Sequence, residues 1–153
     1  PDGETLAFGG EQGVVALWSN SENKLTGALT GHRGAITCLK FGPSGYHLAV
    51  GTSQGEVKTW IPFRRLPVHS SVAHPGQGVT GMAISSDGSL LLTAGGDPTL
   101  RIWDLASGNH LQQFKPGSDN ILSVATAPVG RVFALGSNEH KIHLLALPAL
   151  PGN

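Results

Sequence analysis

Apolar residues in this chain come in runs of about five or six, and the runs are cut by glycine, proline, serine and aspartate. Ile36 to Phe41, Tyr46 to Val50 and Val57 to Ile61 follow one another with turn chemistry between them. The series returns as Val79 to Ile84, Ser89 to Ala94, Leu100 to Leu105 and His110 to Phe114, and a last run covers Lys141 to Leu147. Runs of this length predict β-strands, and no long stretch carries the 3.6-residue period of an amphipathic helix, so the expected class is all-β. Leu90 to Leu92 and Leu100 to Trp103 are apolar nearly throughout, which predicts sheets covered on both faces.

The pattern is periodic. The turn triplets Pro1-Asp2-Gly3, Pro43-Ser44-Gly45, Ser86-Asp87-Gly88 and Pro128-Val129-Gly130 recur at steps of 42, 43 and 42 residues. Trp18, Trp60, Trp103 and Leu145 keep the same steps, and so do Leu6, Leu48, Leu91 and Phe133. Three independent kinds of position in one register define a structural repeat. Each unit reads as a four-stranded antiparallel sheet, its strands named a to d in chain order.

Gly31-His32 near the start of a unit and Trp103-Asp104 near the end of one resemble the WD40 family, whose repeats are of this length and carry Gly-His and Trp-Asp in those places. Ala73-His74 is a near match to the first signature, and Trp18-Ser19 and Trp60-Ile61 keep the tryptophan of the second. The resemblance implies a β-propeller, with these units as part of a seven-bladed ring. The expected blades are 1–31 (strand a missing), 32–73, 74–115 and 116–147 (strand d missing), with a tail at 148–153. Further blades of the same propeller are then expected as neighbours, closing edges that are otherwise unpaired.

His74, Thr93, Asp97 and Trp103 place an imidazole, a hydroxyl and a carboxylate in one unit, the residue types of a nucleophile, base and orienter. The family resemblance implies a structural role instead: the indole donates to the hydroxyl, which meets the imidazole, which meets the carboxylate. The hydroxyl position reads Phe8, Val50, Thr93, Leu135 along the chain and the carboxylate position reads Gln12, Gln54, Asp97, Glu139, so only the third unit is intact. His32, Trp60 and Trp18 are degenerate counterparts, and His32 and Trp60 need other partners if buried. No catalytic residue is assigned.

His140 and His143 stand at a spacing that in a strand faces opposite sides, so no metal site is assigned. Gly9, Gly10 and Gly13 lack the Gly-Lys-Ser/Thr ending of a phosphate loop and fit a turn between strands b and c. Phe63, Arg64 and Arg65, with Lys58 expected nearby, form the most basic local patch, a solvated connector that an acidic partner could use as a secondary contact. Cys38 lies within an apolar strand and fits a small core residue.

Ten Lys plus Arg balance ten Asp plus Glu, which removes the usual electrostatic footprint of a nucleic-acid-binding protein. One cysteine excludes an internal disulfide framework and points to an intracellular setting. No apolar run reaches the roughly 18 residues of a membrane span, the first residues are unlike a signal peptide, and the start reads as internal to a longer chain. The d–a loops and b–c turns should share one rim, which in the family usually binds peptides. Here that rim would carry Glu11, Arg33, Ser53, Gln77, Asn120 and Asn138. The expected function is a non-enzymatic scaffold that binds proteins or peptides, without cofactor or small-molecule substrate. A ubiquitin-ligase adaptor is the second reading, weakened because Leu105 and Ala106, not an arginine, follow Trp103-Asp104. A propeller hydrolase is the third.

Overall fold

The computed structural model describes residues 1–147; the expected tail lies outside the described residues. The strands are β1 (Thr5–Gly9), β2 (Val15–Ser19), β3 (Lys24–Leu29), β4 (Ile36–Phe41), β5 (Leu48–Thr52), β6 (Glu56–Ile61) and β7 (Leu66–Val72). They continue as β8 (Val79–Ile84), β9 (Leu90–Gly95), β10 (Leu100–Asp104), β11 (His110–Phe114), β12 (Ile121–Thr126), β13 (Val132–Ser137) and β14 (Ile142–Ala146). They form four antiparallel sheets in simple meander order: β1-β2-β3, β4-β5-β6-β7, β8-β9-β10-β11 and β12-β13-β14. The first three-stranded sheet supplies positions b, c and d, and the last supplies a, b and c.

The sheets stack face to face, as the three apolar clusters between them show. Val15, Leu17 and Leu29 meet Leu48, Val50 and Trp60 between the first and second sheets. Ala49 and Val57 meet Val79, Met82, Ile84 and Leu91 between the second and third. Leu90, Leu92, Leu100 and Ile102 meet Ile121, Phe133 and Leu135 between the third and fourth. Alternate residues of β9 therefore enter different interfaces, and all six are buried, which is why that run carries no polar face. The strand-a positions β4, β8 and β12 neighbour one another, so the sheets radiate from a common inner edge.

Two irregularities recur in register. The pairing of strands c and d slips between Leu17 and Trp18, between Thr59 and Trp60, and between Ile102 and Trp103. The extra residue is on strand d, a β-bulge opposite the tryptophan of strand c in each of the three sheets. A second slip falls at the start of strand a, at Thr37, Thr80 and Leu122. Tyr46 lies outside β5 because the preceding turn is closed by Gly42 N–H to the His47 carbonyl, at 2.9 Å. Pro62–Arg64 form a short 3-10 turn rather than an open connector, and strand d of the second sheet already begins at Leu66. No helix among the described residues is long and apolar enough to cross a membrane.

Candidate functional site: a braced rim

Beneath the b–c turn of the third sheet four side chains form one polar chain. Trp103 Nε1 donates to Thr93 Oγ1 at 3.1 Å, Thr93 Oγ1 meets His74 Nε2 at 3.1 Å, and His74 Nδ1 meets Asp97 Oδ1 at 3.1 Å. His74 and Thr93 have no exposed surface, so a substrate cannot reach this hydroxyl and imidazole. Space for the ring comes from Gly95, where an added Cβ would fall 2.4 Å from His74 Cγ.

Two residues that motif reading did not single out complete the cluster. Thr99 donates to Asp97 Oδ1 through its backbone N–H at 3.1 Å and its hydroxyl at 2.5 Å. Arg101 Nη1 donates to Asp97 Oδ2 at 3.1 Å and to Thr99 Oγ1 at 2.6 Å. Asp97 and Thr99 lie in the b–c turn and Arg101 near the start of β10, and the turn folds the three polar groups together. Arg101 Nη1 also lies 2.6 Å from His74 Nδ1, but one nitrogen cannot donate to Asp97 and accept from Arg101 together. We assign the proton to Nδ1, because each donor from Trp103 to Asp97 then has one acceptor.

Burial holds the His74 pKa below the ordinary histidine value, against the opposing pull of Asp97, so the ring is neutral at pH 7. Burial would raise the Asp97 pKa, but hydrogen bonds from Thr99 and Arg101 and the nearby His74 outweigh it and hold the carboxyl below its usual range. The result is a carboxylate facing a neutral donor ring, an arrangement that rigidifies the turn.

In the second sheet the same job is done by another route. Val50 stands in the hydroxyl position, and Trp60 Nε1 donates directly to His32 Nε2 at 3.0 Å. That geometry requires the proton on Nδ1, which donates to the Gly13 carbonyl of the first sheet's b–c turn at 2.9 Å. The carboxylate has moved two residues along, from Gln54 to Glu56. Glu56 accepts from Arg33 N–H at 2.8 Å and from Ser70 Oγ at 3.0 Å. It also pairs with Lys58 at 3.5 Å, while Lys58 donates to the Gly31 carbonyl. Glu56 and Lys58 thereby hold the whole Gly31-His32-Arg33 loop. Lys58 belongs to this rim and not beside Phe63 as expected.

Trp18 is half-buried in β2, and its indole meets no imidazole among the described residues. In the fourth sheet Leu135 and Leu145 replace hydroxyl and indole with apolar packing. Lys141 there bridges buried Asp119 at 3.2 Å and exposed Glu139 at 2.8 Å. His140 sits in a turn at φ +62° and His143 in β14. Among the described residues no group of three or more His, Cys, Asp or Glu is placed to hold a metal. Cys38 is partly buried, and burial pushes its thiol up to about 11, so it is not a thiolate at neutral pH.

The loops above these networks converge. Ser53 N–H bonds the Ala35 carbonyl at 2.9 Å, Gly96 N–H the Gly78 carbonyl at 3.0 Å, and Asn138 N–H the Asn120 carbonyl at 3.1 Å, the same tie in three successive sheets. Gly55, at φ +76°, crosses to the next sheet, where its carbonyl accepts from Ala73 and His74 N–H at 2.8 and 3.1 Å. A Cβ on Gly55 would lie 1.9 Å from the His74 carbonyl oxygen. On this rim Glu11, Arg33, Ser53, Gln77 and Asn138 are exposed and Asn120 is half-buried. Ser53 is partly committed, since its hydroxyl accepts from Ala35 N–H at 3.0 Å. Phe63, Arg64 and Arg65 lie on the opposite rim, and Arg65 is not simply solvated: its guanidinium donates to the Thr26 carbonyl of the first sheet.

Radial antiparallel sheets, braced one to the next beneath a common rim, define part of a β-propeller. The chain belongs to the WD40 family: the model of the WD domain, G-beta repeat, matches residues 23–60 and 65–104. Both matched segments start at a strand d and end in the following strand c, so one sequence repeat straddles two sheets and ties them covalently. Protein groucho of Drosophila melanogaster is 31% identical over 147 residues, which is 95% of this chain and 20% of groucho. The chain thus spans about a fifth of that relative's length. Among solved structures, the Myceliophteria thermophila Cps50 (Swd1) β-propeller domain matches with a TM-score of 0.83 at 17% identity, over 95% of this chain and 51% of that one. This second likeness is one of fold. WD40 propellers typically serve as protein-interaction scaffolds and are generally non-catalytic.

Proposed function

We propose that this chain is a non-enzymatic, intracellular scaffold whose d–a and b–c rim binds peptides or protein partners within a larger assembly. The observation that carries the reading is the repeated tie between turn and loop in three sheets, set on buried polar braces. It yields a stiff surface with exposed Glu11, Arg33, Gln77 and Asn138, side chains suited to hydrogen bonding without one dominant charge. Burial of Thr93 and His74 speaks against the hydrolase reading, and nothing specific favours a ubiquitin-ligase adaptor.

The proposal includes further blades that complete a ring, seven in all by family resemblance, with blades bounded at 1–31, 32–73, 74–115 and 116–147. Its support is the apolar surface at both ends of the arc: Leu6 and Phe8 are 55% and 52% exposed, Ile142 and Leu144 77% and 76%. Patches of this kind ask to be covered.

The test is affinity capture with the intact protein, followed by Arg33→Ala, Gln77→Ala and Asn138→Ala. Partners lost on rim substitution with the melting temperature unchanged support the reading. Partners retained by the triple variant reject it.

A further inference from the structure

Toward the outer edge of the seam between the second and third sheets, the second sheet presents residues unlike those of its neighbours. Strand register fixes the comparison. Val57 pairs with Ser71 and Thr59 with His69 in the second sheet. The matching pairs are Val15 with Leu29 and Leu17 with Gly27 in the first, and Leu100 with Phe114 and Ile102 with Gln112 in the third. Thr59 therefore stands where the flanking sheets have Leu17 and Ile102, and Ser71 where they have Leu29 and Phe114. Leu17 and Leu29 close their seam against the second sheet, and Ile102 and Phe114 close theirs against the fourth. In the second sheet two small hydroxyl side chains replace two large apolar ones.

The consequence is a cavity of about 20 Å³ facing the third sheet. Its walls are mainly apolar, from Val57, Leu91, Trp103 and Leu105, and Thr59, Ser71 and His69 add polar groups. Thr59 is 5% exposed, and its Oγ1 is buried with no hydrogen-bond partner among the described residues. A buried hydroxyl without a partner is destabilising, so this one asks for a group that reaches it from the cavity.

Size and hydrogen-bonding capacity both select water. A water needs at least about 10–15 Å³ of such space, and a partner's side chain needs far more. His69 Nε2 lies 2.7 Å from the Ala106 carbonyl and so carries the ring proton, which leaves Nδ1 of the neutral imidazole as an acceptor. The hydroxyls of Thr59 and Ser71 each donate and accept. Asp104 also lines the cavity, with its Oδ1 on Ser107 N–H at 2.6 Å, and its negative charge opposes an anion here.

We propose that this seam holds one ordered water, bound by Thr59 Oγ1 with Ser71 Oγ and His69 Nδ1 as its further partners. The second and third sheets are then joined through a hydration site at the level where apolar side chains close the other two seams.

The test is a high-resolution crystal structure of the intact protein beside that of its Thr59→Val variant, which keeps the side-chain shape and removes the hydroxyl. In the intact protein one water at full occupancy should lie within hydrogen-bond distance of Thr59 Oγ1, and the substitution should abolish it. In solution, magnetisation should pass from a long-lived water to the Thr59 methyl group, and this transfer should be lost in the variant. A Thr59 hydroxyl bonded to a main-chain carbonyl with no water beside it overturns the proposal. So does a water that persists at full occupancy in Thr59→Val, or the absence of transfer in the intact protein.

Discussion

The second and third sheets hold their strand-c tryptophan with different hardware. In the third, Trp103 reaches His74 through Thr93, and the imidazole leans on Asp97 of its own sheet. In the second, Trp60 reaches His32 with no intermediary, and that imidazole leans on a carbonyl of the sheet before. One brace is internal to a blade and the other links two blades. What both preserve is the proton count: indole donor, imidazole acceptor at Nε2, imidazole donor at Nδ1. A buried donor without an acceptor costs about 1–3 kcal/mol, and that penalty is avoided equally well by either wiring.

The same complementarity governs the outer edge. Arg65 lies against Gly27 across the first and second sheets, while Gly108 lies against His69 across the second and third. Large and small have exchanged sides at equivalent positions. The polar tie survives the exchange: Arg65 donates to the Thr26 carbonyl, and His69 Nε2 meets the Ala106 carbonyl at 2.7 Å.

The largest effect should come from the internal brace. His74→Ala takes the acceptor from the fully buried Thr93 hydroxyl and one donor from Asp97, and should cost about 1–3 kcal/mol. The check is the urea midpoint of the intact protein, and a loss below about 0.5 kcal/mol, within the scatter of surface substitutions, would reject the brace. Glu56→Ala should come next, at about 1–2 kcal/mol, because it frees Arg33 N–H, Ser70 and Lys58 at once. Hydrogen exchange should then rise at Arg33 before it rises in the third sheet.

The contrast can be sharpened by Val50→Thr, which restores the family hydroxyl in the second sheet. Trp60 and His32 already satisfy each other, so the new hydroxyl gains no relay and should destabilise by about 1 kcal/mol as a buried polar group. A stabilised variant would show that the direct bond is a poor substitute.

Acid should weaken both braces. His32 and His74 have pKa values lowered chiefly by burial, so below the unfolded value of about 6.5 the unfolded chain binds protons that the folded rings resist. Stability contributed by these rings is therefore complete above about pH 6.5 and falls as pH drops toward the folded values. Melting temperature measured from pH 7.5 to 5 should decline, and the combined His32→Gln and His74→Gln variant should decline less. The smallest effect is expected at Arg65→Gly. It removes the tie to Thr26 but relieves a left-handed residue, and the two should offset to within about 0.5 kcal/mol.

Strand order and repeat register were legible in the sequence because both rest on period: turn triplets every 42 or 43 residues, and apolar runs between them. Asp97 was legible because it sits in a turn next to a family motif. Arg101 and Glu56 were not, since a charged residue inside a strand reads as a solvated face until the neighbouring loop is placed over it. Lys58 was misplaced as well: it is near Phe63 in number, but it lies in the b–c half of β6 and its amine reaches the Gly31 carbonyl, while Phe63 lies beyond the strand's other end. The direct Trp60–His32 bond was illegible too, because losing a hydroxyl shows as a gap and says nothing of how the gap closes. The paired exchange of Gly27 and Arg65 for His69 and Gly108 lies across sheets, where no local pattern reaches.

The central claim is that both imidazoles are neutral structural links with the proton on Nδ1. Long-range ¹H–¹⁵N correlation of the histidine rings in the intact protein, followed from pH 7.5 to 5, tests it most directly. The account predicts the neutral Nδ1–H form for His32 and His74 at pH 7, with the Trp60 indole N–H shifting as His32 titrates and the Trp103 indole moving only through Thr93. A charged or Nε2–H imidazole at either position at pH 7, in fast exchange with solvent, would contradict it.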